Sequence, residues 1–214
     1  MGPRAFDLGV YVVTDRACCE PRSVEEVIRA AIDNGATLVQ LRDKNIDARP
    51  MLALGRKLLD LLRPAGIGLV VNDRIDVAQV LDADGVHIGQ QDIPYPEARR
   101  LLGPAKIIGV SVGSEAEARD AAGWDVDYVG VGPVFPTATK PDAGIALGPD
   151  ETARLARISG HRAVAIGGID AANAATLYAA GLEGVAVISA VCAAPDPGAT
   201  TRSLVRLMRE HRRK

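Results

Sequence analysis

The sequence predicts an α/β fold in which eight strands alternate with helices around a closed barrel, and three observations predict it. Eight short runs rich in Val and Ile recur at residues 10–14, 37–41, 68–72, 85–89, 107–112, 128–134, 163–167 and 184–189. Several are apolar almost without interruption, as expected of strands covered on both faces. Helical periodicity fills the intervals, and no Gly-x-Gly-x-x-Gly turn follows the first run, which weighs against an open doubly wound sheet. Strand and helix alternate eight times in 214 residues, and the economical fold for that pattern is a (β/α)8 TIM barrel. The chain is shorter than the usual ~250 residues, so some helices must be short. No linker or low-complexity segment divides it, so residues 1–214 are expected to form one catalytic domain.

The intervening segments carry their own boundary signals. Residues 23–34 open on Ser23 with Glu26 three positions on, a capping-box pattern, and stop before Gly35. Residues 173–180 are rich in Ala and stop before Gly181. Residues 201–212 repeat Leu204, Val205, Leu207 and Met208 with basic residues between them, the pattern of an amphipathic helix. The basic end, 209–214, is expected to be a solvated helix terminus. With 48% hydrophobic but only 3% aromatic residues, the core must be built from Val, Ile, Leu and Ala.

A formal charge of −2 gives no electrostatic reason to expect nucleic acid or an anionic membrane as partner. Cys18, Cys19 and Cys192 show neither zinc spacing nor a disulfide framework. Residues 1–8 lack a signal-peptide pattern, and no run approaches ~18 apolar residues. A cytoplasmic protein acting on small molecules is expected, with its oligomeric state, a homo-oligomer included, left open.

The chemistry gathers where strands end, which in a β/α barrel is the active-site face. After the second run comes Gln40-Leu41-Arg42-Asp43-Lys44, and strand alternation would send Gln40, Arg42 and Lys44 to one side. An Arg fork and a Lys point charge suit an oligophosphate; an ion pair of Arg42 with Asp43 is the structural alternative. The third run ends in Asn72-Asp73, where Asp73 is either a helix N-cap or a metal ligand. The next repeat, His87-Ile88-Gly89-Gln90-Gln91-Asp92, brings a second carboxylate to the neighbouring strand end. Two such carboxylates can share one Mg²⁺. His87 reads more readily as a structural hydrogen-bonding group than as a catalytic one, and His161 and His211 suggest no metal site.

Ser111 stands alone on the fifth run, without a Gly-x-Ser-x-Gly elbow or partners for a nucleophile. The sixth run opens into Gly132-Pro133-Val134-Phe135-Pro136-Thr137-Ala138-Thr139-Lys140-Pro141-Asp142-Ala143-Gly144, a loop of two hydroxyls and an ammonium shaped by Gly and Pro. Lys140 in that setting suits anion binding better than Schiff-base chemistry. Gly167-Gly168 and Ser189 close the last two repeats, where such barrels cradle phosphate.

Taken in order, Gln40–Lys44, Val71-Asn72-Asp73, the 85–92 segment, Gly109-Val110-Ser111, the 130–144 loop, Ala165-Ile166-Gly167-Gly168-Ile169 and Val187-Ile188-Ser189 resemble the thiamine phosphate synthase family. The resemblance implies that Gln40, Leu41, Arg42, Asp43, Lys44, Asn72, Ser111 and Lys140 hold an aminopyrimidine diphosphate, with Arg42, Lys44, Ser111 and Lys140 catalytic. It implies that Asp73 and Asp92 bind Mg²⁺, that Thr137, Ala138 and Thr139 contact a thiazole, and that Gly168, Ile188 and Ser189 bind its phosphate. The implied reaction is a dissociative substitution at the pyrimidine methylene. Diphosphate leaves and the thiazole nitrogen attacks, with CO₂ lost as well if the thiazole is carboxylated. Val112 and Gly113 depart from the hydroxyl residues that often follow Ser111 in the family. A thiazole tautomerase, a non-catalytic sensor and a phosphosugar enzyme share parts of this pattern. The tautomerase and the phosphosugar enzyme give no reason for two acidic strand ends beside a basic one, whereas a sensor differs only in binding without turnover.

Overall fold

Alternation is the rule that builds the molecule. The computed structural model describes residues 6–137, 139 and 144–212. Its strands are β1 (Val10–Val13), β2 (Leu38–Leu41), β3 (Gly68–Asn72), β4 (Gly85–Ile88), β5 (Ile107–Val112), β6 (Tyr128–Val131), β7 (Ala163–Ile166) and β8 (Gly184–Val187). They pair in sequence order, all parallel, and β8 returns to β1 through Tyr11 opposite Ala186, so the barrel is closed. The open doubly wound alternative is thereby excluded.

On each strand, side chains turn in and out with period two. Val10 and Val12 face the helices while Tyr11 and Val13 face the axis. The same holds for Val39 against Leu38, Val129 against Tyr128 and Val185 against Ala186. Two cores result: a large one of Val, Ile, Leu and Ala between sheet and helices, and a small one inside the barrel. Both strand faces are dry, which is why the runs read as continuously apolar.

The helices are α1 (Arg16–Cys19), α2 (Val24–Ile32), α3 (Ala48–Ala65), α4 (Ile75–Leu81), α5 (Tyr95–Leu102), α6 (Glu115–Ala122), α7 (Gly148–Ser159), α8 (Ala174–Ala179), α9 (Ser189–Cys192) and α10 (Pro197–Arg212). Short elements such as α1, α8 and α9 account for the compact chain. Ser23 caps α2 by accepting from the Glu26 N–H at 3.2 Å, and Glu26 accepts in return from the Ser23 N–H at 2.7 Å. Helix α10 starts at Pro197 rather than at 201, and buries Thr201, Leu204, Val205 and Met208. Its basic end is not wholly solvated. Arg212 grips both oxygens of Asp7, at 2.9 and 2.6 Å, which holds that carboxyl below its usual range.

No helix among the described residues is long and apolar enough to cross a membrane. Replacing Ser23 with Ala removes one side of the reciprocal cap and is expected to lower stability by about 1 kcal/mol, read as a shifted midpoint in urea denaturation with unchanged slope.

Candidate active site

The strands end around a cavity of about 600 Å³. Of the residues singled out in the sequence, Lys44, Asn72, Asp73, Asp92, Ser111, Thr137, Thr139, Gly168, Ile188 and Ser189 border it. Gln40 lines a separate small cavity that shares His87 and Ser111 with the large one. Leu41, Arg42 and Asp43 are not among the bordering residues, and Ala138 and Lys140 lie outside the described residues.

One wall is acidic and polar. Asn72, only 6% exposed, is the last residue of β3. Asp73 follows it in a left-handed conformation, φ 61°, with its N–H donating to the His87 carbonyl at 2.8 Å. Left-handed backbone is costly for most residues but is tolerated by Asp. The N-cap of α4 is Arg74 and carries no side-chain cap, so Asp73 is not the helix cap that the sequence allowed. Asp92 accepts from the Gly89 N–H at 2.6 Å through Oδ2, which folds its carboxylate back across the end of β4. Two carboxylates from neighbouring strands thus face one space. No group of three or more His, Cys, Asp or Glu among the described residues is placed to cage a metal.

The basic segment departs from its expected geometry. Strand β2 ends at Leu41, so period-two alternation does not carry through Arg42 and Lys44. Gln40 turns inward below the cavity, Arg42 is buried to 5% exposure, and Lys44 reaches the cavity edge. Leu41 packs into the outer core. Thr14 pins the Arg42 backbone from both sides, accepting from its N–H at 2.9 Å and donating to its carbonyl at 3.0 Å. The Arg42 guanidinium pairs with Asp15 at 3.3 Å, while Asp43 pairs with Arg16 at 3.0 Å. The Arg42–Asp43 pair is therefore not formed. Arg42 Nε is buried without a hydrogen-bond partner among the described residues, a costly state for a guanidinium.

The opposite wall is built from β6, β7 and β8. Thr139 donates to Ser189 Oγ at 3.5 Å, and the Thr139 N–H reaches Thr137 Oγ1 at 3.3 Å. Ser189 is the first residue of α9, not the end of a strand, because β8 stops at Val187. Gly167 and Gly168 both have positive φ, 105° and 65°. A Cβ at Gly167 would fall 2.7 Å from Pro133 Cα, and one at Gly168 would fall 2.7 Å from the Pro136 carbonyl. The pair therefore answers to backbone packing as well as to bordering the cavity.

Beneath the cavity lies a group that sequence reasoning missed. Gln40 Nε2 donates to Tyr11 Oη at 2.7 Å, and Tyr11 Oη lies 2.9 Å from Tyr128 Oη. Tyr128 Oη is 3.0 Å from His87 Nδ1, and His87 Nε2 is 2.9 Å from Ser111 Oγ. Burial pushes both phenols above their usual pKa. The available signal was polarity at alternate, inward positions of otherwise apolar strands. Around Ser111, Gln90 donates to the Ser111 carbonyl at 2.6 Å and Glu117 accepts from the Gly113 N–H at 2.6 Å. These bonds stand where hydroxyl residues were expected from the family pattern.

A family model described as thiamine monophosphate synthase matches residues 10–191. Similar curated proteins include the thiamine-phosphate synthase of Roseiflexus castenholzii, 52% identical over 91% of this chain and 86% of that one. That of Azorhizobium caulinodans is 45% identical over 99% of this chain and 100% of its own. Among solved structures, thiamine phosphate pyrophosphorylase from Pyrococcus furiosus superposes with a TM-score of 0.86 at 38% identity, covering 95% of this chain and 96% of that one.

Converting Asp15 to Asn removes the charge partner of a buried guanidinium and is expected to cost about 3 kcal/mol, measured by urea denaturation. A loss below about 0.5 kcal/mol, the size of an exposed pair, would show that Arg42 does not depend on Asp15.

Proposed function

Because this chain belongs to the thiamine monophosphate synthase family and is a transferase, we propose that it joins an aminopyrimidine diphosphate to a thiazole phosphate in the one cavity at the barrel mouth. The observation that carries this reading is the two-sided wall. Lys44, Asn72, Asp73, Asp92 and Ser111 border one side, and Thr137, Thr139, Gly168, Ile188 and Ser189 the other. A volume of about 600 Å³ lies within the range of ordinary small-molecule sites.

In this reading the bond from the pyrimidine methylene carbon to the diphosphate oxygen breaks, its electron pair leaving with diphosphate. The thiazole nitrogen then supplies the pair for the new bond to carbon. Lys44 at the cavity edge, with Lys140 and, once its guanidinium turns from Asp15, Arg42, favours the charge that grows on the leaving group. Asn72 and Ser111 hold the pyrimidine end, with Gln40 beneath them; Leu41, in the outer core, and Asp43, paired with Arg16, do not reach that subsite through their side chains. Thr137, Ala138 and Thr139 orient the thiazole, while Gly168, Ile188 and Ser189 receive its phosphate. Holding the two reactants in line converts an encounter into a unimolecular step. No general base or covalent nucleophile is needed.

The donor set at Asp73 and Asp92 fits Mg²⁺. Two hard carboxylate oxygens, without a third such ligand among the described residues, suit an ion that completes its shell with phosphate oxygens and water. When bound, Mg²⁺ supplies positive charge to the diphosphate. The three cysteines are free thiols, in keeping with a cytoplasmic setting.

Thiamine phosphate and diphosphate are expected to form from the two substrates with Mg²⁺, and not with excess chelator. Binding of the thiazole phosphate without turnover would overturn the proposal in favour of a tautomerase or a sensor. Asp92→Asn keeps an oxygen able to accept from Gly89 but loses the charge. It is expected to fold normally and to lower kcat on the order of 10²-fold, with a raised Mg²⁺ requirement; unchanged kinetics would remove Asp92 from the metal site. Ser189→Ala is expected to raise the KM for thiazole phosphate a few-fold, about what one hydrogen bond contributes, with kcat little changed. An unaltered KM would count against the phosphate assignment.

A further inference from the structure

The five side chains beneath the cavity form one continuous hydrogen-bonded path, and its chemistry restricts how the protons can be arranged. We propose that this path, from Gln40 through Tyr11, Tyr128 and His87 to Ser111, is polarised toward the cavity, so that His87 carries its proton on Nε2 and Ser111 faces the substrate as a hydrogen-bond donor. Tyr128 and His87 are then positioning residues that act through Ser111. The proton arrangement stands on geometry alone; its effect on turnover rests on the function proposed above.

The argument begins at Gln40, whose amide nitrogen can only donate, so Tyr11 Oη accepts from it at 2.7 Å. Tyr11 is 1% exposed, and its one proton needs an acceptor. Tyr128 Oη, 2.9 Å away, provides it. If Tyr128 instead donated to Tyr11, the Tyr11 proton would be buried with no acceptor on this path, the costly outcome for a polar group out of water. Tyr128 must then direct its own proton onward to His87 Nδ1 at 3.0 Å. A nitrogen that accepts is not protonated in the neutral ring, so the proton sits on Nε2 and is given to Ser111 Oγ at 2.9 Å. Only the Ser111 proton is left, and Ser111 borders the open cavity. The same arrangement denies Ser111 a base, since the imidazole nitrogen nearest to it is already protonated.

The strands make room for this path. A Cβ at Gly109 would lie 2.1 Å from Tyr128 Cζ, and one at Gly130 would lie 3.0 Å from His87 Cε1. Both glycines are inward positions of β5 and β6 beside the path. High phenol pKa values, raised by burial, keep the two tyrosines protonated and the path intact.

The test has two arms. In ligand-free protein labelled with ¹⁵N-histidine, the imidazole resonances of His87, identified by their loss in His87→Gln, are expected to show a protonated Nε2 and a bare Nδ1. The opposite tautomer, which an amide of Gln40 turned to place Oε1 against Tyr11 would produce, overturns the proposal. The second arm is a kinetic cycle. Tyr128→Phe is expected to lower kcat about tenfold, the worth of one hydrogen bond, with little change in KM. In a Ser111→Ala background the same change should have no further effect on kcat, because neighbours that act as a unit are not additive. Independent, multiplying losses would overturn the positioning role. His87→Gln, whose amide can still donate toward Ser111, should retain more activity than His87→Ala; equal loss of kcat in the two folded variants would likewise count against it. If wild-type protein makes no thiamine phosphate, the proposed function fails while the tautomer still reports on the path.

Discussion

Where the Tyr128 phenol crosses the barrel axis it meets β1 through Tyr11, β4 through His87 and β5 where Gly109 has no side chain. A closed barrel of eight short strands leaves room for few inward side chains, so a ring in that position dictates its neighbours. Leu38, Val70, Ile107 and Val164 pack with the two rings in the inner core. Above it the inward residues become Gln40, Asn72, His87 and Ser111. The polar inward side chains thus gather toward the strand ends that border the large cavity. Few aromatic residues suffice because two of them occupy the axis.

Charge is arranged by the same economy. Burying Arg42 beside a single carboxylate leaves a guanidinium nitrogen without a partner among the described residues, and such a group gains from any anion able to approach it. The acidic pair Asp73 and Asp92 lies past the ends of the next two strands, and the hydroxyl-bearing wall lies across the cavity. Opposite signs thus stand at adjoining strand ends rather than one sign throughout.

Much of this was legible in the chain. Strands could be read because Val and Ile runs are local, and the α2 cap because Ser23 and Glu26 are three residues apart. The positions of the carboxylates, Ser111, Thr137 and Thr139 beside the cavity could be read because strand ends in a barrel share one face. The direction of Arg42 could not, since β2 stops one residue earlier and the partner, Asp15, comes from the turn after β1. Nor could the path from Gln40 to Ser111. Its members span 29 to 117 residues of separation at two of its steps, and no periodicity within one strand reveals which side chains meet across an axis. The missing side chains of Gly109 and Gly130 are likewise the imprint of Tyr128 and His87, which come from other strands.

Closure between β1 and β8 also has a consequence for how the chain is made. Tyr11 cannot meet Ala186 until nearly the whole sequence has left the ribosome. At ~5–20 residues per second this interval is on the order of ten to thirty seconds. Throughout it the outer edge of β1 presents unpaired amides and a run of Val and Tyr, the kind of template on which nascent chains associate. The nascent barrel is thus most vulnerable at its beginning, and its last strand serves as the cover that ends the exposure.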